Sequence, residues 1–338
     1  MQRRSLYFTG QNSVQIRDEM LPVLSKNQAQ FSSLVSLISA GTEMLFFRGE
    51  LSCDLPMKKV LPSRDGQLEY PLKFGYSLVG QLNEDYRGKV SYSKGQRFFA
   101  FNSHESAFAM VPKKQFFVPE DCSAEDAIFL ANMETALNII LDAQPRIGER
   151  VVVIGLGVLG LLTSALLREH PLHSLFALDP FPLRQKAARE LGLENTFDSQ
   201  QSDQLLHLQE KLGKHGADTV IELSGHPEAL NLAMKLVGSQ GKILVGSWYG
   251  ARLAELDLGS HFHQGRIQII SSQVANLNPE LKGRWNRKRR FALAWDWIRR
   301  IKPSRWITST FSLEEAGLAY DLIDSHPEKN IALALKYD

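Results

Sequence analysis

The stretch "VVVIGLGVLG", Val151 to Gly160, decides the fold of this chain. An apolar run leads directly into three glycines with the spacing G-x-G-x-x-G, and an apolar helix-like segment follows. The first glycine permits a tight turn, the second lets a pyrophosphate approach the backbone, and the third lets the helix pack on the strand. The helix start offers unpaired N–H groups and a positive dipole end to the phosphates. The predicted dinucleotide contacts are Gly155, Leu156, Gly157, Val158, Leu159 and Gly160.

An acidic residue, Asp179, ends the next strand-like run, "SLFALD", about 20 residues downstream, the usual spacing for such a motif. Its side chain can accept hydrogen bonds from the ribose hydroxyls of a dinucleotide. A carboxylate repels a 2′-phosphate, so Asp179 favours NAD over NADP. Arg184, in the following helix-like segment, keeps NADP open as the second choice. A helix N-cap before Pro180 is the structural alternative for Asp179.

Strand-like and helix-like segments alternate around the glycine stretch, with apolar runs in "RVVVIG", "ADTVIELSG", "GKILVG" and "IQIISS". Continuous apolar runs separated by helical crossovers are typical of buried parallel strands, so the middle of the chain is predicted to be a doubly wound α/β domain. Ligands bind beyond the carboxyl ends of the strands in such sheets. Ser224, Gly246 and Trp248, which lie at or just after the ends of two of these runs, are therefore further predicted cofactor contacts.

The first third of the chain has a different pattern. Short apolar runs such as "SLYFTG", "FSSLVSLIS" and "QRFFAF" are separated by turn residues, which is typical of a small all-β unit. The last elements, which end in "IALALKYD", do not continue the alternation of strands and helices, so they are predicted to return to the first domain. The predicted boundaries are 1–124 and 273–338 for the β-rich domain and 125–272 for the dinucleotide domain.

The composition narrows the class of protein. The chain has 338 residues, 43% of them hydrophobic and 22% charged, which is ordinary for a globular protein. No apolar run approaches the length needed to cross a bilayer, and a formal net charge of +2 gives no case for nucleic acid. Cys53 and Cys122 are too few for a disulfide framework and are predicted to be reduced thiols. We expect a cytoplasmic protein without a membrane partner.

Several motifs together carry a family resemblance. The β-rich first domain, "VVVIGLGVLG", "ADTVIELSGHPEALNLAMKLVGSQGKILVGSWYG" and the returning last segment make the chain resemble the medium-chain dehydrogenase/reductase superfamily over nearly its whole length. Within it, the chain looks like the subgroup of bacteriochlorophyllide 2-desacetyl-2-hydroxyethyl dehydrogenases, on the stretches "SLISAGTEMLFFRGE", "YPLKFGYSLVGQL", "FAFNSHESAFAMVP" and "HFHQGRIQIISSQVANLNPELKGRWNRKRRFALAWD". The resemblance implies a GroES-like β-rich domain, a Rossmann domain and a homodimer formed through the strand in "GRIQIISSQVA".

The same resemblance exposes a departure from the zinc enzymes of the superfamily. Their catalytic zinc ligands are a cysteine, a histidine followed by glutamate, and a third residue near the helix that leads into the Rossmann domain. The matching positions here hold Ala40, Tyr76 with Ser77, and Ala131. Alanine and tyrosine cannot supply the three protein ligands that a catalytic zinc needs. The chain is therefore predicted to work without zinc.

Without zinc, protein groups must stabilise the oxygen of the substrate while hydride moves. The resemblance points to Tyr76 as a phenol donor, His104 as a proton acceptor or donor, and Ser77, Thr42 and Glu43 as assisting groups. Each has a structural alternative: Tyr76 can fill the volume of the missing metal, His104 can be a surface or structural residue, and the other three can stabilise turns.

The predicted substrate pocket comes from two other places in the sequence. Trp248 and Tyr249 follow a strand end in "VGSWYG", where packing is the alternative to substrate contact. Arg284 and Trp285 begin the basic segment "GRWNRKRR", for which a solvated helix start is the alternative to an anion site. The prediction is an oxidoreductase that transfers hydride between NAD, or NADP, and a small-molecule alcohol or carbonyl substrate. An NADPH-dependent enoyl or quinone reductase and a non-catalytic dinucleotide sensor are the alternatives.

Overall fold

A computed structural model describes residues 2–51 and 69–338 of the chain. The chain forms two compact units, a β-rich unit that ends its first part at Ala131 and resumes at Phe291–Asp338, and a Rossmann unit of Asn132–Arg290. The predicted domain boundaries lie earlier in the chain at both places. One helix, Leu130–Ala143, spans the first division between the units, and another, Arg287–Ile301, spans the second. A boundary predicted from a change of sequence pattern is placed before such a helix, not inside it.

The strands and helices are numbered along the described chain. The strands are β1 Gln2–Gly10, β2 Ser13–Met20, β3 Ala29–Ile38, β4 Leu78–Leu82, β5 Tyr86–Arg87, β6 Ser91–Tyr92, β7 Arg97–Ala100, β8 Ala107–Met110, β9 Arg150–Ile154, β10 Ser174–Leu178, β11 Thr196–Phe197, β12 Ala217–Glu222, β13 Val237–Val245, β14 Gln268–Ser271, β15 Ile307–Ser312 and β16 Ala332–Lys336. The helices are α1 Thr42–Phe47, α2 Ala124–Ala127, α3 Leu130–Ala143, α4 Val158–Leu167, α5 Pro182–Glu190, α6 Ser202–Leu212, α7 Ala229–Leu236, α8 His263–Gly265, α9 Arg287–Ile301 and α10 Ala316–Ser325.

The Rossmann unit, all of whose residues are described, contains one parallel sheet with the order β11-β10-β9-β12-β13-β14. The valine-rich strand β9 lies inside this sheet, and its residues Val151, Val152 and Val153 are fully buried. The order reverses between β9 and β12, which makes the ends of these strands the topological switch point where α/β sheets bind ligands. The glycine stretch follows β9 directly.

The β-rich unit has a sheet with the order β15-β16-β3-β4-β7 among its described residues, and β8 also pairs with β3. The closing strand β16 is antiparallel to β3, with Leu335 opposite Ser36. The last part of the chain therefore contributes to the same sheet as the first. A parallel Rossmann sheet and a β-rich domain together confirm the predicted α/β fold class.

The core of the β-rich unit brings α1 and α10 together through aromatic side chains. Tyr320 of α10 stacks on Phe47 with ring centres 5.4 Å apart and meets Phe8 edge-on at 5.3 Å. All three side chains are buried. This packing holds the Tyr320 hydroxyl inside the domain, on the side of α1.

No helix within residues 2–51 and 69–338 is long and apolar enough to cross a membrane. The cytoplasmic location stays a prediction.

Candidate functional site

The three glycines of the Rossmann unit have different structural roles. Gly155 has a φ of +93°, and a Cβ there would lie 2.6 Å from the main chain of Ser224. A Cβ on Gly160 would lie 1.8 Å from the carbonyl oxygen of Gly155. Gly157 has nothing within 4 Å of the position of a Cβ. Gly155 and Gly160 therefore permit close backbone packing. Gly157 leaves open space at the start of α4, where a diphosphate can meet unpaired N–H groups.

The loop between the glycines is attached to Asp179. Leu156 is buried and donates its N–H to Asp179 Oδ2 at 2.7 Å, whereas Val158 and Leu159 are partly exposed in the first turn of α4. The N–H of Phe181 donates to Asp179 Oδ1 at 2.9 Å. The carboxylate thus joins the glycine loop after β9 to the segment after β10. The N-cap of α5 is Phe181, without a side-chain cap, so Asp179 does not have the N-cap role that was its structural alternative.

Burial and a charged neighbour, Arg184, both affect the pKa of Asp179. Its side chain is buried, which raises its pKa, while the nearby Arg184 guanidinium opposes that rise. Nη1 of Arg184 lies 3.7 Å from Oδ2, and burial lowers the pKa of Arg184 in turn. An ionised carboxylate has about four acceptor positions. Two N–H donors therefore leave hydrogen-bonding capacity at Asp179 for ribose hydroxyls.

Ser224 and Gly246 follow the ends of β12 and β13. The N–H of Ser224 donates to Glu222 Oε1 at 2.6 Å, and its main chain packs against Gly155. A Cβ on Gly246 would lie 2.5 Å from Cδ2 of Leu223. Both predicted cofactor positions thus lie where the strand ends pack closely, and Ser224 lies against the glycine loop itself.

Tyr249 has a partner that the sequence did not predict. Its hydroxyl donates to Oε2 of Glu222 at 2.5 Å, and Glu222 is fully buried at the end of β12. Burial, followed by the charge of Glu222, raises the pKa of Tyr249. Its neighbour Trp248 is partly exposed. The Tyr249 hydroxyl therefore connects the ends of β12 and β13, and it could contact a substrate, as predicted, only by giving up this hydrogen bond.

The basic segment around α9 is divided into an outer and an inner part. Arg284 is exposed, and Trp285 is covered by the guanidinium of Arg289, which lies 4.1 Å from the ring centre. Arg290, in contrast, is buried and donates to Oε1 of Glu134 at 2.7 Å. The structure thus places the predicted pocket residues Arg284 and Trp285 on a solvated surface, while the inner arginine forms a buried ion pair.

Four of the five predicted catalytic positions lie around the start of α1 and the turn before β4. Tyr76 is partly exposed and donates its hydroxyl to Ser39 Oγ at 2.7 Å. The N–H of Thr42 donates to the same oxygen at 3.3 Å. Ser77 is buried, and its Oγ has no hydrogen-bond partner among the described residues. Ser39 therefore links Tyr76 to the first turn of α1, and Glu43 lies in that same turn.

Glu43 and His104 meet inside the β-rich unit, where both are completely buried. Nε2 of His104 lies 2.9 Å from Oε2 of Glu43, and the hydroxyl of Tyr320 donates to the same oxygen at 2.5 Å. Oε1 of Glu43 accepts the N–H of Ser39 at 3.0 Å. His104 was predicted to exchange a proton with the substrate. Its imidazole is instead enclosed by protein, which makes a direct contact with a substrate impossible in this arrangement.

A second line of hydroxyls leads away from His104. Its Nδ1 lies 2.7 Å from Ser36 Oγ, which is 2.8 Å from the hydroxyl of Tyr337. Sequence reasoning missed Ser36, Ser39, Tyr320 and Tyr337. Ser36 has the same parity in β3 as the partly exposed Gln30 and Ser32, so the alternation of the strand does not predict its burial. No local signal links either tyrosine to residues about 300 positions away.

The matched positions of a zinc site do not fit a zinc ion. Ala40 is exposed, Ala131 is buried, and the Tyr76 hydroxyl is hydrogen-bonded to Ser39. Within residues 2–51 and 69–338, no three His, Cys, Asp or Glu side chains are grouped to hold a metal. Cys122 is a buried thiol whose pKa burial raises to about 12, and Cys53 lies outside the described residues.

Sequence comparison relates the chain to known dehydrogenases. A family described as zinc-binding dehydrogenase matches residues 158–287. D-guloside 3-dehydrogenase of Escherichia coli K12 is 26% identical over 225 residues, which are 65% of this chain and 64% of that protein. (R,R)-butanediol dehydrogenase of Bacillus subtilis is 23% identical over 235 residues, 61% of this chain and 65% of that protein. The matches thus span slightly less than two thirds of these relatives.

Structural comparison covers nearly the whole chain. A short chain alcohol dehydrogenase of Escherichia coli CFT073, complexed with NADH, superimposes with a TM-score of 0.78 at 18% identity, covering 99% of both chains. The chain has the medium-chain dehydrogenase/reductase fold. A putative zinc-binding dehydrogenase of Sinorhizobium meliloti 1021, bound to NADP, has this fold too, with a TM-score of 0.76 at 18% identity and 99% coverage of both. The resemblance to bacteriochlorophyllide dehydrogenases stays a prediction.

Proposed function

We propose that this protein is an NAD-dependent oxidoreductase that transfers hydride between the cofactor and an alcohol or carbonyl substrate. The observation that carries the proposal is the glycine loop with Asp179. Gly157 leaves space for a diphosphate, α4 begins directly behind it, and the carboxylate keeps acceptor capacity for ribose hydroxyls. The names of the relatives, a guloside, a butanediol and sorbitol dehydrogenases, favour a secondary alcohol of a polyol or glycoside.

The choice of NAD over NADP rests on the charge around Asp179. Its carboxylate repels a 2′-phosphate, and Arg184 is engaged with it at 3.7 Å rather than presented as a separate cation. Arg184 also lies over the ring of Phe181, 4.8 Å from its centre. We therefore expect NAD to bind at least about tenfold more tightly than NADP, a difference of about 1.4 kcal/mol.

The substrate oxygen, in this proposal, is handled by hydroxyl groups of the protein. The bound nicotinamide would accept or return the hydride. Tyr76 and Thr42 are partly exposed polar residues near the start of α1. While its proton is donated to Ser39, the phenol oxygen of Tyr76 can accept from the hydroxyl of an alcohol, and it can donate to a carbonyl oxygen only by releasing Ser39. Ser39 Oγ, which accepts the phenol proton at 2.7 Å, sets the direction of that group. Zinc has no part in the proposal, because the matched ligand positions do not fit it.

The proposal is tested with purified protein whose zinc content is measured. The nucleotide affinities come from calorimetry, and turnover is followed by the absorbance of reduced nicotinamide over a panel of polyols, glycosides, aldehydes and enones. We expect NAD-dependent turnover of an alcohol that survives a chelator. Activity on enones with NADPH alone would establish the reductase alternative instead. Tight dinucleotide binding without any turnover would establish the sensor.

We also propose a homodimer formed through β14. This strand is at the edge of the Rossmann sheet, and Ile269 on it is 38% exposed, so its outer edge can pair with a second copy. The mass in solution, measured by light scattering, tests this. In β14, the N–H of Ser272 donates to Val245 of β13, so the N–H of Ile269, which has the opposite parity, faces the outer edge. Replacement of Ile269 by proline removes this outer donor, and the dimer should then dissociate while the monomer keeps its fold.

A further inference from the structure

The buried carboxylate of Glu43 has three hydrogen-bond partners. It accepts the N–H of Ser39 on one oxygen and the hydroxyl of Tyr320 on the other, where His104 also binds. Burial without such partners would strongly disfavour an ionised carboxylate. Three donors from three separate parts of the chain therefore hold both oxygens of Glu43 in one orientation.

The hydrogen bonds of His104 continue through Ser36 to Tyr337. If Nε2–H donates to Glu43, then Nδ1 accepts from the hydroxyl of Ser36, and the oxygen of Ser36 accepts from Tyr337. Both ring nitrogens of His104 are thus hydrogen-bonded, Nε2 to Glu43 and Nδ1 to Ser36. The chain of bonds thus fixes the imidazole from both sides.

The same imidazole supports the turn that carries Tyr76. Gly75 has a φ of +130°, and a Cβ there would lie 3.0 Å from both Cδ2 and the main-chain nitrogen of His104. The backbone before Tyr76 is therefore packed directly on His104. Tyr76 is held at its backbone by this contact and at its hydroxyl by Ser39, and both supports lead back to Glu43.

We propose that Glu43, held by Tyr320 and His104, is a positioning residue that fixes Ser39 and thereby orients the phenol of Tyr76 toward the substrate oxygen. This rests on the proposed function for the part that Tyr76 plays. The link between Glu43 and Ser39 runs through a backbone N–H, which holds a geometry but does not pass a proton. Glu43 therefore acts through orientation, not as the base of the reaction.

The test is a double-mutant cycle with Glu43→Gln and Tyr76→Phe. A glutamine places an NH₂ group where one of the donors now points, so the orientation of Ser39 should be lost. We expect Glu43→Gln to lower kcat by about tenfold in the native background and by less than about twofold in the Tyr76→Phe background. The dissociation constant of NAD should stay within about twofold in all variants.

Asp126→Asn is the matched control. Asp126 is also a buried carboxylate of the β-rich unit that accepts one backbone N–H, from Ser304, and one hydroxyl, from Ser123. It should cost stability and leave kcat unchanged. Equal losses of kcat from Glu43→Gln in both backgrounds would overturn the proposal, as would an unchanged kcat in the native background.

A spectroscopic measurement separates this proposal from the proposed function. With ¹³Cζ-labelled tyrosine, the Tyr76 resonance, assigned by its loss in Tyr76→Phe, should shift in Glu43→Gln and stay in place in Asp126→Asn. A shift supports the positioning role even if no substrate is turned over, and an unshifted resonance overturns it. If Glu43→Gln does not fold, Tyr320→Phe, which removes one donor to the carboxylate, takes its place with the same outcomes.

Discussion

The glycine loop of the Rossmann unit and the Glu43 cluster of the β-rich unit are built in opposite ways. The loop depends on backbone geometry within ten consecutive residues, joined to Asp179 by one hydrogen bond at 2.7 Å. The cluster depends on side chains, and its hydrogen bonds join Tyr320 to Glu43 across a sequence separation of 277. A local backbone site can be read from a motif, whereas a side-chain site exists only after the domain has folded. Each of the following experiments tests one side of this difference.

The largest effect is expected at Gly160. A Cβ there would overlap the carbonyl oxygen of Gly155 at 1.8 Å, and backbone on backbone cannot relax as a side chain does. We expect Gly160→Ala to destabilise the protein by about 3 kcal/mol or more, at the upper end of overpacking costs, and to abolish measurable NAD binding. Chemical denaturation and calorimetry measure the two effects.

Gly157→Ala is the matched change in the same loop. Its Cβ would meet nothing within 4 Å, so the free energy of unfolding should change by less than about 0.5 kcal/mol. NAD affinity should nevertheless fall by about tenfold or more, because the methyl group occupies the space for the diphosphate. Unchanged NAD affinity in Gly157→Ala would contradict the position of the diphosphate.

The second-largest effect is expected on the preference for NAD over NADP. Asp179→Asn removes the charge that repels a 2′-phosphate and leaves Arg184 without its carboxylate partner. We expect the ratio of NADP to NAD affinity to rise by about tenfold to a hundredfold, equivalent to about 1.4–2.7 kcal/mol. Asp198→Asn, which changes the acidic residue after β11, is the control and should leave the ratio unchanged. If Asp179→Asn weakens the binding of NAD and NADP equally, Asp179 supports the glycine loop and does not select the cofactor.

The same difference explains how much the sequence could predict. The glycine roles and Asp179 follow from fixed spacings, and the fold class follows from the alternation of strands and helices. His104 was predicted to exchange a proton with the substrate because the family resemblance directs its loop toward the active site. Its partners Ser36 and Glu43 come from distant elements, and Tyr320 contacts Glu43 beside it. Tyr249 shows the same limit, since its acceptor Glu222 lies on the neighbouring strand. Side chains that pair across distant elements have no fixed separation in the sequence, so no motif predicts them.

The third effect is expected at Tyr76. Tyr76→Phe keeps the ring, which packs edge-on against Phe74 at 6.2 Å, and removes only the hydroxyl. We expect kcat to fall by more than about tenfold, the lower end of acid–base effects, while NAD affinity stays unchanged. Tyr86→Phe, which removes a hydroxyl bound to Asn27, is the control and should keep full kcat. Full activity of Tyr76→Phe would mean that the ring serves only in packing.

The smallest effect comes from a carboxylate of the β-rich unit with a structural role alone. Burial on its own raises the pKa of Glu19, but hydrogen bonds from Lys73, Ser5 and Tyr7 reverse this and lower it to about 2. A pKa that is lower in the folded state stabilises the fold above the unfolded value and loses that stabilisation as the pH falls toward the folded value. Glu19→Gln should therefore cost about 1 kcal/mol at neutral pH, measured by urea denaturation.

The pH dependence distinguishes this account from a simple loss of packing. The difference in unfolding free energy between Glu19→Gln and the native protein should be constant above about pH 5 and shrink steadily as the pH falls toward 2, because Glu19 then becomes protonated in both states. Glu314, paired with Arg4 at an exposed position, is the matched control, and Glu314→Gln should change little at any pH. A pH-independent cost at Glu19 would mean that shape, not charge, holds β1 and β2 at this point.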